Sequence, residues 1–160
     1  MVDKKIKVNE VIKDIAENHH SYLKQEMPVI KGLAYKILKV HYEDCKDELI
    51  EVHRAWGRVE NEIELSLVKK QMVVLPLIWD YEKKPSDDLK AEIVETIKDV
   101  EEDNKLLLDA FEELKKSSND YTMPPSGCPT YEMTYRKMEA LHSETLKYLE
   151  RERELYGLFN

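Results

Sequence analysis

The sequence predicts an all-α protein, an up-down-up-down bundle of four long helices. The 160 residues include only four glycines and six prolines, and 36% of them are charged, which is typical of long amphipathic helices. Apolar residues recur at intervals of three and four along four stretches, whereas no stretch shows the alternation of a strand. Four such stretches with mostly short connections indicate one bundle domain over residues 1–160.

Composition and charge exclude several classes of partner. The net charge of -8 argues against nucleic acid and against an anionic membrane surface. The longest apolar run, residues 72–79, is too short to span a bilayer, and the first ten residues lack the apolar segment of a secretory signal. The two cysteines form no CxxC pair and predict no disulfide framework. We expect a soluble cytoplasmic protein.

The first two predicted helices cover residues 8 to about 41 and about 47 to 82, with a loop at residues 42–46. Pro28 and Pro76 should bend them, because each ring removes a backbone donor and crowds the preceding turn. The core-facing stripe of the second helix is predicted to consist of Trp56, Val59, Ile63, Ser66, Lys70, Val73 and Leu77.

The third and fourth helices are predicted from Ser86 to near Ser117 and from about Tyr131 onward. Ser86 is placed as the N-cap of the third helix, since two aspartates follow it in the first turn. The Ser- and Pro-rich stretch between these helices is the only long predicted loop, and it contains Cys128.

Each predicted helix interrupts its apolar stripe with polar residues near its middle. We call this set the polar layer; it comprises His19, His20, Ser66, Lys70, Asn104, Tyr148 and Glu152. A bundle with one such layer, supplied by all four helices, is the arrangement that buried metal sites use. The layer nevertheless contains few good ligands and one cation.

Five segments together resemble the hemerythrin-like domain of the iron–sulfur cluster repair di-iron proteins. They are HHSYLKQEMP at 19–28, VH at 40–41, DELIEV at 47–52, VVLP at 73–76 and PPSGCPT at 124–130. The resemblance spans about 140 residues and implies a role in nitrosative or oxidative stress. The family's small N-terminal cysteine-bearing domain is not expected, because the pattern begins directly at the bundle.

The resemblance implies a degenerate metal site. Family members hold two irons with a His on the first helix, a His and a Glu on the second, a His on the third, and a His and a Glu on the fourth. Of these six ligands only His20 and Glu152 are retained; the other positions are occupied by Ser66, Lys70, Asn104 and Tyr148. No cofactor is therefore expected; if any is bound, it would be mononuclear or dinuclear iron.

Lys70 and Glu152 give the sharpest hypothesis about this site. The Lys70 ammonium would replace the positive charge of the metal and pair with Glu152, while Ser66, Asn104 and Tyr148 complete a hydrogen-bonded network. In the alternative, Lys70 extends its four-carbon stem to solvent.

The remaining histidines and cysteines have plainer interpretations beside the functional ones. His20 is either a ligand or a hydrogen-bonded core residue, and His19 could face inward instead. His41 is expected to be a helix-end residue, while His53 and His142 are expected at the surface or its boundary. Cys128 is either a stress-sensitive thiol or a packed loop cysteine; no charge near it in sequence lowers its pKa, which favours packing.

Three functions follow. The first is a metal-free, non-enzymatic relative of the repair proteins that serves as a binding or regulatory module for a protein partner. The second is a metalloprotein with a reduced iron site made by His20, Glu152 and a neighbour such as Glu101 or Glu102. Two protein ligands are too few for tight binding, which favours the first. The third is homodimerisation through an apolar patch made of Val74, Leu75, Ile78 and Trp79, although packing against a neighbouring helix of the same bundle explains these residues equally well.

Overall fold

The computed structural model describes residues 2–159, with side chains from Val8 onward. Within this range the protein is helical and contains no β-strand, which confirms the all-α prediction. Four long helices form the fold; the first comprises α1, a π-helical turn and α2, and the second comprises α3, a π-helical turn and α4. The bounds are α1 Val2–Asp14, π turn Ile15–His20, α2 Ser21–Val40, α3 Tyr42–Lys69, π turn Lys70–Val74, α4 Leu75–Lys83, α5 Asp87–Ser117 and α6 Pro129–Gly157.

The connection between the first two long helices lies where it is predicted but is tighter than a loop. α2 ends at Val40, a single helical turn begins at Tyr42, and the main part of α3 follows a kink at Cys45, inside the predicted range of residues 42–46. His41 leaves the helical region with φ of -104° and ψ of 20°, and Cys45 inside α3 does so with φ of -132° and ψ of 26°. The chain therefore reverses through two single residues with non-helical dihedral angles.

The later helix boundaries follow the sequence signals more closely. Ser86 caps α5, since its Oγ accepts a hydrogen bond of 3.1 Å from the backbone N–H of Leu89. The third helix ends at Ser117 as predicted, and the fourth begins at Pro129, two residues before the predicted start. Proline at the first turn of a helix loses no hydrogen bond, which explains the earlier start.

Two π-helical turns interrupt the first and second long helices. α2 runs through Pro28 from Ser21 to Val40, so the interruption of the first helix lies earlier, at Ile15–His20. In the second helix the N–H of Leu75 donates to the carbonyl of Lys70, five residues back. Pro76 follows directly and has no N–H with which to continue an α-helical pattern.

The second π turn changes which residues face the core. Val73 is 41% exposed, so its predicted position in the stripe is wrong, and Leu77 is only partly buried at the edge of the core. Val74 and Ile78 are buried in their place. A π turn accommodates one more residue than an α turn, and it shifts the buried stripe by one position after Lys70.

The apolar core consists of two clusters that lie on either side of the polar layer. One contains Leu23, Met27, Ile30, Trp56, Val59, Ile63, Leu107, Phe111, Tyr135 and Leu141 among others. The other contains Val8, Ile12, Ile15, Val74, Ile78, Ile93, Ile97, Val100, Leu155 and Phe159 among others. All four long helices contribute to both, so they all pass the polar layer. None of the helices in residues 2–159 combines the length and apolarity that crossing a bilayer requires.

Candidate functional site

The centre of the polar layer is a buried lysine that bonds to two other helices. Lys70 Nζ, at the start of the second π turn, lies 2.9 Å from Glu152 Oε2 on α6 and 2.9 Å from Asn104 Oδ1 on α5. Lys70 is 4% exposed and Glu152 is 1% exposed. The geometry agrees with the predicted pair, and the alternative in which Lys70 reaches solvent is wrong.

Glu152 has partners on both carboxylate oxygens. Besides the Lys70 ammonium at Oε2, the Tyr156 hydroxyl donates to Oε1 over 3.1 Å. Burial, followed by the negative charge of Glu152, raises the pKa of Tyr156 well above its ordinary value, so its hydroxyl keeps its proton. One positive and one negative charge thus compensate each other between the two apolar clusters.

His19 and His20 are both buried although they are adjacent in sequence. They lie at the end of the first π turn, where the wider turn allows two consecutive side chains to face the core. Burial is the main cause that lowers the pKa of His19 to about 2 and that of His20 to about 4; the charge of Lys70 also contributes to both shifts. Both imidazoles are therefore neutral at pH 7.

Several polar atoms in or beside the layer have no hydrogen-bond partner within the described residues. These are His19 Nδ1, both ring nitrogens of His20, Ser66 Oγ and Thr145 Oγ1. A cavity of about 10 Å³ is lined by the two histidines, Ser66 and Lys70 together with apolar side chains. This volume holds about one water molecule and no larger ligand.

Two predicted members of the Lys70 network do not take the predicted positions. The Ser66 hydroxyl is buried without a hydrogen-bond partner among the described residues. Tyr148 instead stacks its ring on His19, with ring centroids 3.9 Å apart. The network around Lys70 consists of Asn104 and Glu152, and Tyr156 extends it.

The side chains present do not fit a di-iron centre. The ammonium of Lys70 bonds to Glu152, the only carboxylate of the layer. An iron ion at this place would be repelled by the ammonium and could not bind the carboxylate that the ammonium already occupies. Glu101 and Glu102, considered as additional ligands, are exposed at the surface of α5. Among residues 8–159, no group of three or more His, Cys, Asp or Glu side chains is placed to hold a metal ion.

Two contacts escape prediction from sequence spacing. His41 Nε2 lies 3.1 Å from Cys128 Sγ, 87 positions later in the chain. The predicted surface position of His142 is wrong, since its ring is buried, stacks on Phe111 and has Nδ1 2.8 Å from the Tyr121 hydroxyl. Local sequence indicates only that Pro129 suits the first helical position, which places Cys128 just before the fourth helix.

No protein-family model matches this chain.

Proposed function

We propose that the chain is a hemerythrin-like, up-down-up-down four-helix bundle in which the Lys70 ammonium takes the place of a metal. In this proposal the protein is a metal-free, cytoplasmic relative of the iron–sulfur cluster repair proteins and works as a binding or regulatory module in a stress response. One observation carries it: Lys70 Nζ lies 2.9 Å from both Glu152 Oε2 and Asn104 Oδ1 in a buried layer.

Charge balance supports the metal-free reading. A buried carboxylate is costly unless it is paired, and the Lys70 ammonium supplies that pairing from within the chain. Iron could use Glu152 only after the ammonium had been removed or deprotonated. A layer made of histidines and carboxylates alone would contain no ammonium group to repel a metal ion.

Metal content after purification tests the proposal. Protein made in iron-supplemented cells should contain substoichiometric iron by mass spectrometry and show no oxo-bridged absorption band. The matched control is the variant Ser66→His, Lys70→Glu, Asn104→His and Tyr148→His, which restores the ligand types that the resemblance implies. We expect the control to take up iron under the same conditions, and stoichiometric iron in the unmodified protein would overturn the proposal.

A reduced iron site is the second candidate, because both ring nitrogens of His20 are buried without a partner among the described residues. A neutral imidazole is the form that binds a metal, and the pKa of His20 lowered to about 4 supplies that form. This site would have only His20 and Glu152 as protein ligands. If iron is found in the unmodified protein, its loss in His20→Ala would assign it to this second function.

The partner is proposed to be a protein, and a second copy of the chain is one option. Of the predicted patch, Val74 and Ile78 are buried in the core, as the alternative of packing within the bundle expects, whereas Trp79 is exposed. Between the end of α3 and α4, the exposed apolar side chains are Leu65, Val68, Met72, Val73 and Trp79. Light scattering after gel filtration distinguishes a monomer from a dimer, and Val68→Glu with Met72→Glu should dissociate a dimer formed through this surface.

A further inference from the structure

A second cluster of reactive side chains lies far from the polar layer. Cys128 immediately precedes α6 and Glu152 lies 24 positions later, which corresponds to about 36 Å along a helix. The cluster joins the turn between the first two long helices to the start of the fourth. Its members are His41, Asp44 and Cys128.

The three side chains form a relay in which the imidazole lies between a thiol and a carboxylate. His41 Nε2 is 3.1 Å from Cys128 Sγ, and His41 Nδ1 is 3.4 Å from Asp44 Oδ2. The ring is 6% exposed and packs edge-on against Tyr131, with centroids 5.3 Å apart. His41 is thus held in a fixed orientation, while the cysteine remains partly accessible.

The position of Cys128 also favours the charged form of its thiol. It occupies the N-cap of α6, where the positive end of the helix dipole lies, although its side chain forms no capping bond. The hydrogen bond to His41 is the main cause that lowers the pKa of Cys128, and the Tyr131 amide adds to it. The same bond to Cys128 raises the pKa of His41. Both shifts favour a thiolate–imidazolium pair.

We propose that Cys128 is a nucleophilic thiol that His41 activates and Asp44 helps to orient, and that it exchanges with neutral or cationic low-molecular-weight disulfides. The Cys128 thiolate attacks one sulfur of the disulfide RSSR. A Cys128–SR bond forms, the S–S bond of the reagent breaks, and RS⁻ leaves with the bonding electron pair. The displaced RS⁻ accepts the proton of the His41 imidazolium, and no further oxidant is needed.

The charge beside the cluster defines the class of reagent. A groove of about 370 Å³ is adjacent to it and includes Asp44 and Ser126 in its lining. Its charged side chains are Glu43, Asp44, Asp47 and Glu48 against the single cation Lys46. Such a wall attracts cationic reagents and repels anionic ones, and the difference should diminish as salt is added.

Cystamine, a cationic disulfide, provides the direct test on the full chain, with mass spectrometry to locate the modified cysteine. We expect Cys128 to react faster than Cys45, which is buried with its sulfur 3.3 Å from Ser126 Oγ. Cystamine should also react faster than the anionic 3,3′-dithiodipropionate at low salt. Cys45→Ser is the matched control and should leave the rate at Cys128 unchanged, whereas Cys128→Ser should remove the fast reaction.

The pH profile separates activation by His41 from simple accessibility. His41→Phe keeps a ring in the same place and removes both nitrogens, so the rate with cystamine at pH 6 should fall by a factor on the order of ten and the profile should move to higher pH. Asp44→Asn changes an exposed carboxylate without altering the core and should produce a smaller move in the same direction. Circular dichroism establishes that each variant is folded. Cys128 reacting with the rate and pH profile of N-acetylcysteine, or an unchanged profile in folded His41→Phe and Asp44→Asn, would overturn the proposal.

Discussion

Lys70→Met is expected to destabilise the protein strongly and in a manner that depends on pH. Methionine resembles the lysine stem in length but has no ammonium, so the variant leaves Glu152 buried with Oε2 unpartnered. Removing one partner of a buried ion pair lowers the free energy of unfolding by about 3–5 kcal/mol. Asn104 loses its hydrogen-bond donor in the same substitution.

Proton uptake by the carboxyl group limits this loss. A glutamate has a pKa of about 4.3 in the unfolded chain, and protonating it costs about 1.4 kcal/mol for each pH unit above that value. The variant can avoid a buried unpaired charge at this cost, which is about 3.7 kcal/mol at pH 7 and about 1 kcal/mol at pH 5. The folded variant then holds a proton that the unfolded chain lacks. The difference in stability between the original protein and Lys70→Met should therefore shrink by about 2.7 kcal/mol from pH 7 to pH 5.

Urea denaturation followed by circular dichroism at pH 7, 6 and 5 measures this difference. Lys69→Met is the matched control, because Lys69 forms a partly exposed pair of 2.6 Å with Asp103 and should contribute at most about 1 kcal/mol. Adding Glu152→Gln to Lys70→Met removes the unpaired charge and should abolish the pH dependence of the difference. Equal losses for Lys70→Met and Lys69→Met at pH 7 would refute the reasoning.

Acid should destabilise the protein through His19 and His20. Their pKa values are lowered to about 2 and about 4 in the folded protein, whereas a histidine in the unfolded chain has a pKa of about 6.5 and takes up a proton first as the pH falls. Stability should accordingly fall by about 3 kcal/mol per histidine between pH 7 and pH 4, and urea midpoints that stay constant over this range would contradict it. Ser66→Ala should change the free energy of unfolding by less than about 0.5 kcal/mol or raise it, because the hydroxyl has no partner among the described residues; a loss above about 1 kcal/mol would show that it is bonded. Ser86→Ala should lower it by about 1 kcal/mol through loss of the cap on Leu89, measured in the same way, and no change would argue against that cap.

Helical periodicity was sufficient to predict the polar layer. Ser66, Lys70, Asn104 and Glu152 break their apolar stripes, and the structure brings the last three into contact while Ser66 stays unbonded beside them. The prediction worked because polar residues at core-facing positions on different helices meet wherever those helices pack at the same level. The pairing of Lys70 with Glu152 is predicted as well, since a buried lysine requires a buried acceptor.

The π turns and the His41–Cys128 contact could not be predicted in this way. A fixed period of 3.6 residues cannot represent a turn that takes up an additional residue, so it predicts Val73 in the core where the structure has Val74. The pairing of His41 with Cys128 depends on how the long loop returns to the first turn of the chain. Local sequence carries no distance information across 87 residues, so it does not predict the lowered pKa of Cys128 either.

The two π turns give this chain an uneven tolerance to changes in its length. Removing one residue from Lys70–Val74 would convert five residues into an ordinary α turn and leave α3 and α4 each in contact with its own apolar cluster. Removing one residue from the middle of α5, which contains no such turn, would rotate everything beyond it by about 100° and expose its buried face. The first and second long helices each contain one additional residue in a π turn, at the level of the polar layer, and the packing of the helix on either side does not depend on it.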